Sequence, residues 1–268
     1  MSFYGLRIIP ICINQEFITG DNMKAVILAG GKGTRLKPYT TCFPKPLMPI
    51  GEEPILEIVV KQLKCCGFNE IIMAVGHLAE LIKVFFNNGN KYDLKIGYYR
   101  EDKPLGTAGP LAQLKNEIDD DFLMMNGDIL TDLDYSQLIR SHEESDAIAT
   151  ISLKQNKVPI DFGVVELNKD SNIVGYSEKP KIDYLVSMGI YAFSPRIFEY
   201  ISPNKYLDIP DLIKMLISAG EKVNGYVYDG YWLDIGRPDD YEKANEDLNY
   251  VYNQIYRGKN ETDTFIGH

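Results

Sequence analysis

From Met23 onward the chain alternates short apolar runs with stretches whose apolar residues recur every three to four positions. AVILA (25–29), EIIMAV (70–75), LKIGYY (94–99) and DFLMMN (121–126) have the length and composition of buried strands. Between them PILEIVVKQLKCCG (54–67) reads as a helix opened by Pro54 and stopped by Gly67, LAELIKVFF (78–86) as a second, and Thr107 to Asn116 as a third. Strand and helix alternating at this spacing predict an α/β fold: a mostly parallel sheet with helices on both faces, joined by right-handed crossovers. After AIATISL (147–153) the rhythm changes. GVVEL (163–167), NIVGYS (172–177) and VSMGIYAFS (186–194) follow with only loops between them, which predicts a smaller antiparallel sheet annexed to the first. Helices return at Pro195 to Ile201, with Ser194 as N-cap, and at Ile209 to Ala219, with Asp208 capping and Gly220 stopping. A last strand, YWLDI (231–235), precedes a helix from Pro238 to about Tyr250.

This pattern divides the chain into a leader of residues 1–22, one domain over 23–250 and a C-terminal tail of 251–268. The leader is read as poorly ordered, or as the mark of an upstream start codon, rather than as a functional arm. Its IIPICI is short, interrupted by Pro10 and followed by no small-residue cleavage site, so it makes a poor signal peptide. No apolar run approaches the ~18 residues of a membrane span. There is no internal repeat and no hexapeptide pattern of an appended β-helix.

Composition narrows the function classes. With 268 residues and 45% hydrophobic content the chain can bury one large core. The net charge of -10 argues against a nucleic-acid partner, because duplex binding is driven largely by cations displacing counterions. Cys12, Cys42, Cys65 and Cys66 show no Cys-x-x-Cys spacing and are expected to be reduced thiols of a cytoplasmic protein. His77, His142 and His268 lack metal-ligand spacing and read as ordinary surface histidines.

Against that acidic background LAGGKGTRLKPYTTCFPKPL (28–47) stands out. Gly30, Gly31 and Gly33 follow the first strand as a phosphate cradle would, yet neither the Walker A nor the Gly-x-Gly-x-x-Gly dinucleotide pattern fits. Between Met23 and Gly51 lie Lys24, Lys32, Arg35, Lys37 and Lys45, and no Asp or Glu. A cationic, glycine-rich loop at the C-terminal end of a strand, where ligands bind open α/β sheets, suits a polyphosphate.

LAGGKGTRL followed by FPKPL resembles the signature of the sugar-1-phosphate nucleotidyltransferases. LGTAGPLA (105–112), NGD (126–128), FGVV (162–165), EKP (178–180), MGIYAFSP (188–195) and GYWLDIG (230–236) extend the likeness collinearly. The resemblance implies a Rossmann-like nucleotide-diphospho-sugar transferase fold whose smaller antiparallel sheet holds the sugar. It also implies a reaction in which a sugar 1-phosphate oxygen attacks the α-phosphorus of a nucleoside triphosphate and pyrophosphate leaves. Positioning and charge neutralisation dominate such chemistry, and no covalent nucleophile is needed.

Carried over residue by residue, the resemblance gives the triphosphate to Gly30, Gly31, Gly33 and Thr34, with Leu28 and Ala29 near the nucleoside and Gly106 and Thr107 near the base. Arg35 would stabilise the departing pyrophosphate and Lys45 would neutralise the α-phosphate, its flanking prolines fixing its direction. Asp128 and Asp234 would ligate Mg2+, which prefers hard carboxylate and phosphate oxygens. Lys179 would grip the sugar phosphate and Glu178 the sugar hydroxyls, while Gly163 and Gly189 would let backbone approach the sugar. Ser187 stands where many relatives have Asn, which leaves the sugar open.

The segment KPLGTAGPLA resembles the mannose-1-phosphate guanylyltransferase subgroup more than the thymidylyltransferases, so GTP and mannose 1-phosphate or a related hexose or heptose 1-phosphate are the expected substrates. The alternatives are a uridylyl-, thymidylyl- or cytidylyltransferase acting on glucose 1-phosphate or another sugar 1-phosphate, or a silent NDP-sugar-binding regulatory subunit. Homo-oligomerisation is left open.

Overall fold

A computed structural model of the protein describes residues 23–256 except residue 102; the leader of 1–22 lies outside the described residues, as does the tail beyond 256. Strand β1 (Lys24–Ala29) is followed by short 3-10 turns and by the two-residue strands β2 (Pro49–Ile50) and β3 (Glu53–Pro54). Then come α1 (Ile55–Cys65), β4 (Glu70–Val75), α2 (Ala79–Phe86), β5 (Lys95–Arg100), β6 (Phe122–Asn126), β7 (Ile129–Thr131) and α3 (Tyr135–Glu143). The second half runs β8 (Ala149–Pro159), β9 (Val164–Leu167), β10 (Ile173–Ser177), β11 (Lys181–Phe193) and α4 (Ile209–Ser218). It closes with β12 (Val223–Val227), β13 (Trp232–Asp234), α5 (Pro238–Glu246) and α6 (Leu248–Tyr256).

The main sheet has seven strands in the order β12-β8-β11-β6-β1-β4-β5. Its ladders are parallel except where β11 runs against β6 and β8. Side-chain alternation along the central strands sends one set to each face. Ala25, Ile27 and Ala29 of β1, Ile71, Met73 and Val75 of β4, and Leu123 and Met125 of β6 pack into one cluster with α1 and α3. Val26, Ile72, Phe122 and Met124 pack into the other, with Leu212 and Leu216 of α4. Burial on both faces is why these strands read as near-continuous apolar runs.

Chain order places the site. After β1 the chain moves outward through β4 and β5, then returns to add β6 on the other side of β1. The loops leaving β1 and β6 therefore diverge, opening a crevice at a topological switch point. Leu28 and Asn126 are register partners at its floor, and the Gly127 amide donates to the Leu28 carbonyl at 2.9 Å.

The smaller antiparallel sheet is present as the β9–β10 pair, while the inner halves of β8 and β11 join the main sheet and their outer halves continue as an exposed two-stranded ribbon. Three other expectations change in the structure. The helix expected over 107–116 is a 3-10 run, Gly109–Leu114, because Pro110 lacks an amide proton and the Ala108 and Gly109 amides both donate to the Leu207 carbonyl. Asp208 does not cap α4 with its side chain; the Ile209 amide donates instead to Thr107 Oγ1 at 2.8 Å. The last helix is broken at Asp247 into α5 and α6, which packs Val251 beside Ala244 and Ile235.

Candidate active site

The glycine loop leaves β1 along the edge of a cleft of about 590 Å³. Leu28, Gly30, Gly31, Gly106, Thr107 and Asp128 line it, so six of the expected residues meet there. Each glycine has a distinct reason. A Cβ on Gly30 would lie 3.3 Å from the Gly76 amide nitrogen, so two backbones touch at that point. Gly31 has open space around it, leaving its backbone free to meet a ligand. Gly33 has φ +58°, and a Cβ there would meet Thr40 Cγ2 at 2.9 Å and Lys45 Cβ at 3.1 Å. The loop thus folds onto the stem of Lys45, secured by the Thr40 hydroxyl donating to the Gly33 carbonyl at 2.7 Å. Ala29 instead points into the core, which leaves only its backbone for a ligand. Thr34, itself exposed, begins a 3-10 turn that is anchored by the buried Leu36 and does not line the cleft.

Lys45 sits in its own 3-10 turn, entered from Pro44 and carrying Pro46, and is 9% exposed. Its ammonium donates to Asp128 Oδ2 and forms an ion pair with it. Asp128 leads into β7, which pairs with β13 so that Asp234 faces Ile129, and the Ile235 amide donates to the Asp128 carbonyl at 3.1 Å. A short ladder therefore brings together two carboxylates more than a hundred residues apart in the chain. Asp234 opens to solvent on one side, yet the surrounding protein raises its pKa by desolvation, and the Asp128 charge raises it further. Lys45 and Arg35 act against that rise. Arg35 is exposed and its guanidinium lies across Gly236, where a Cβ would come within 3.3 Å of Nη1.

Two adjacent carboxylates whose charges oppose each other fit a divalent cation. Among the described residues no cluster of three or more His, Cys, Asp or Glu side chains forms a metal site. Part of the cation's shell would therefore come from phosphate oxygens or water, as Mg2+ commonly accepts.

The opposite wall is the loop of Gly106 and Thr107. Gly106 has φ +80°, and a Cβ on it would strike the Leu207 carbonyl at 2.5 Å. The Thr107 amide and hydroxyl both donate to Asp208 Oδ1, at 3.0 and 3.2 Å, while the Tyr206 hydroxyl donates to Oδ2. The Tyr206 bond, and then those from Thr107, hold the Asp208 carboxyl below its ordinary range.

The structure adds Lys32, Gly76, His77, Glu101, Asn126 and Tyr206 to the cleft. Gly76, His77 and Glu101 lie one or two positions beyond an apolar strand, the only signal for them in the sequence. His77 is thus a cleft residue, and His142 is buried rather than on the surface. One of the five loop cations is engaged elsewhere: Lys24, at the far end of β1, pairs with Asp119.

The residues expected to hold the sugar phosphate are less tightly gathered. Gly189, φ +74°, sits in the irregular register between β11 and β8, where a Cβ would meet Asn126 Nδ2 at 2.8 Å, so it borders the cleft floor. Ser187 Oγ accepts from the Gly189 amide at 3.3 Å. Glu178 and Lys179 lie exposed between β10 and β11, outside the cleft lining. Glu178 accepts from the Tyr176 hydroxyl at 2.8 Å, and a Cβ on Gly163 would collide with that same hydroxyl.

A sequence model described as nucleotidyl transferase matches residues 24–250. The chain is 36% identical to a UTP–glucose-1-phosphate uridylyltransferase of Synechocystis sp. over 83% of this chain and 62% of that protein. It is 31% identical to a mannose-1-phosphate guanylyltransferase of Mycobacterium tuberculosis over 84% of this chain and 64% of that one. It thus spans just under two thirds of the length of these curated relatives. Among solved structures it is similar to HddC from Yersinia pseudotuberculosis complexed with GMP-PN, at 28% identity and TM-score 0.66, covering 84% of this chain and 99% of that one.

Proposed function

The chain belongs to the nucleotidyl transferase family, and from that premise we propose that it transfers the nucleotidyl group of a nucleoside triphosphate to a sugar 1-phosphate. The observation that carries this reading is the meeting of Lys45, Asp128 and Asp234 at the open end of the strand that bears the glycine loop. A non-bridging oxygen of the sugar phosphate forms the new bond to the α-phosphorus, the bond to the bridging oxygen of the β-phosphate breaks, and pyrophosphate leaves. No proton need move.

In this reading residues 23–250 act as one catalytic unit. The amides of Gly30, Gly31 and Gly33, with Thr34, cradle the triphosphate, and Lys45 turns from Asp128 to the α-phosphate when a nucleotide enters. Arg35 meets the charge that accumulates on departing pyrophosphate. Asp128 and Asp234 are the residues that would hold Mg2+, which supplies Lewis-acid neutralisation of the phosphates. Gly163, Glu178, Lys179 and Gly189 take the sugar phosphate, so the exposed ribbon must serve as the second wall of the site.

For the substrates we favour GTP with mannose 1-phosphate or a related hexose or heptose 1-phosphate. The LGTAGPLA segment, the guanylyltransferase relative and the neighbour complexed with GMP-PN support guanine. The second reading is uridylyl transfer to glucose 1-phosphate, favoured by the Synechocystis relative. Pyrophosphate release with Mg2+, testing five nucleoside triphosphates against mannose, glucose and heptose 1-phosphates, separates them. Silence across the whole panel would overturn the transferase reading.

A further inference from the structure

The outer halves of β8 and β11 form an arm that one chain leaves uncovered. Val158 faces Ile182 across the ladder, Asn156 faces Tyr184 and Lys154 faces Val186. Strand alternation puts these pairs on one side of the arm and Gln155, Lys157, Asp183 and Leu185 on the other. The first side is mostly apolar toward its tip and the second mostly polar, the alternation of an antiparallel sheet with one face packed. Yet Val158, Ile182 and Tyr184 are 43%, 48% and 42% exposed. The β9–β10 pair, joined to the arm at its tip, adds exposed Val165, Leu167, Ile173 and Tyr176. A two-stranded ribbon with no covered face is marginal in water, and a contiguous apolar surface of this kind marks an interface.

The arm's direction and length bear on the site. β11 runs against β6 with Ile190 opposite Met125, so the arm leaves the sheet at the end where Asn126 and the cleft lie. Gly189 borders the cleft floor at the arm's base, and the ladder continues outward to Lys181 opposite Pro159. Eight residues of strand at about 3.3 Å each carry Lys181 roughly 25 Å from Gly189. Glu178 and Lys179 lie farther out still, at a corner where the Ile160 amide donates to the Pro180 carbonyl at 2.9 Å. Lys179 there has φ +45°, a left-handed conformation uncommon outside glycine. A sugar phosphate resting on Gly189 is out of reach of the Lys179 of its own chain.

Resting on the reading of these residues as the sugar-phosphate half of the site, we propose that a second copy of this chain completes it. Two arms pack antiparallel through their apolar faces about a two-fold axis, and each tip delivers Glu178 and Lys179 to the cleft of the other copy. In such an isologous pair the tip of one arm meets the base of the other, and the base is where Gly189 opens on the cleft. Charge favours this surface over the rest of the molecule. Residues 154–187 hold five lysines and five carboxylates in a chain of net charge -10, so two acidic molecules can meet there without mutual repulsion. The stretch is also long enough to supply the roughly 20–30 residues a side of a standard interface.

The test is a mixed dimer. Asp128→Asn disables the cleft and Lys179→Ala the tip, so the two variants are co-expressed with different affinity tags and the doubly tagged species is isolated. One of its two sites then unites an intact cleft with an intact tip. Pyrophosphate release, at sugar phosphate below the wild-type Michaelis constant, should be about half that of the wild-type dimer and well above either variant alone. Failure to recover a doubly tagged species, or no gain over the single variants, would overturn the proposal, since an arm folded onto its own cleft leaves a lesion in every site. Ile182→Asp should convert dimer to monomer in sedimentation velocity and raise the Michaelis constant for the sugar phosphate at least about tenfold, with nucleoside triphosphate affinity unchanged. Full turnover by a wild-type monomer would sink the shared site and leave the transferase reading standing. A dimer that Ile182→Asp dissociates but that turns over no substrate would end the transferase reading, and the shared site with it.

Discussion

Lys45 concentrates the physics of the site in one residue. A lysine this buried persists only if its charge is matched, and Asp128 provides the match in the absence of phosphate. In the proposed reaction the pair would hold the cation in place, ready to exchange an aspartate oxygen for a phosphate oxygen. Lys45→Ala should therefore lower turnover by roughly a hundredfold or more, since it removes charge where charge develops. Asp128→Asn and Asp234→Asn should each cut turnover by at least about a hundredfold. These three are measured as pyrophosphate release; wild-type turnover in either aspartate variant removes that residue from the metal site. Lys179→Ala should mainly raise the Michaelis constant for the sugar phosphate, and an unchanged constant would remove it from that role.

At the level of elements, the loop over 105–109 owes its shape to a segment a hundred residues later. The Leu207 carbonyl takes the amides of Ala108 and Gly109, and Asp208 takes Thr107. Gly106 is wedged against the same carbonyl with positive φ, so any side chain there meets both strain and a clash. Gly106→Ala should cost roughly 1–3 kcal/mol of stability, read as a lower urea midpoint, and weaken nucleotide binding by displacing the cleft wall. An unchanged midpoint would show that the loop can move away from Leu207 freely.

At the scale of the whole molecule, His142, on α3, is a pH lever outside the cleft. Its Nδ1 lies 2.8 Å from Thr150 Oγ1, while the unpartnered Nε2 is 3.6 Å from Asp121 Oδ2. Burial, then repulsion from Arg196, pushes its pKa down from 6.5 to about 4. The unfolded chain protonates first as pH falls, so this stabilisation is complete above about pH 6.5, declines between there and about pH 4, and is gone below. The full effect is on the order of 3 kcal/mol, and the raised carboxyl of Asp121 opposes part of it. Urea unfolding at pH 7 and pH 4.5 should show the decline, and His142→Gln should flatten it. An equally steep decline in that variant would assign the lever to other groups.

Sequence alone determined what depends on local order and composition. Periodicity located the central strands, because burial on both faces demands unbroken apolar runs. The glycines, with prolines around a lone lysine, mark the loop to which the proposed function gives the phosphates. Tertiary structure decided what depends on separation in the chain. That Asp128 and Asp234 are neighbours follows from the β7–β13 ladder, and that Lys24 is lost to the loop's charge follows from its position at the opposite end of β1. Glu101 carries no local mark beyond its place after an apolar strand, where a glutamate is ordinarily solvated. It becomes a site residue only because β4 and the glycine loop close over it, and a sequence holds no record of which charge the fold will leave buried and unpaired.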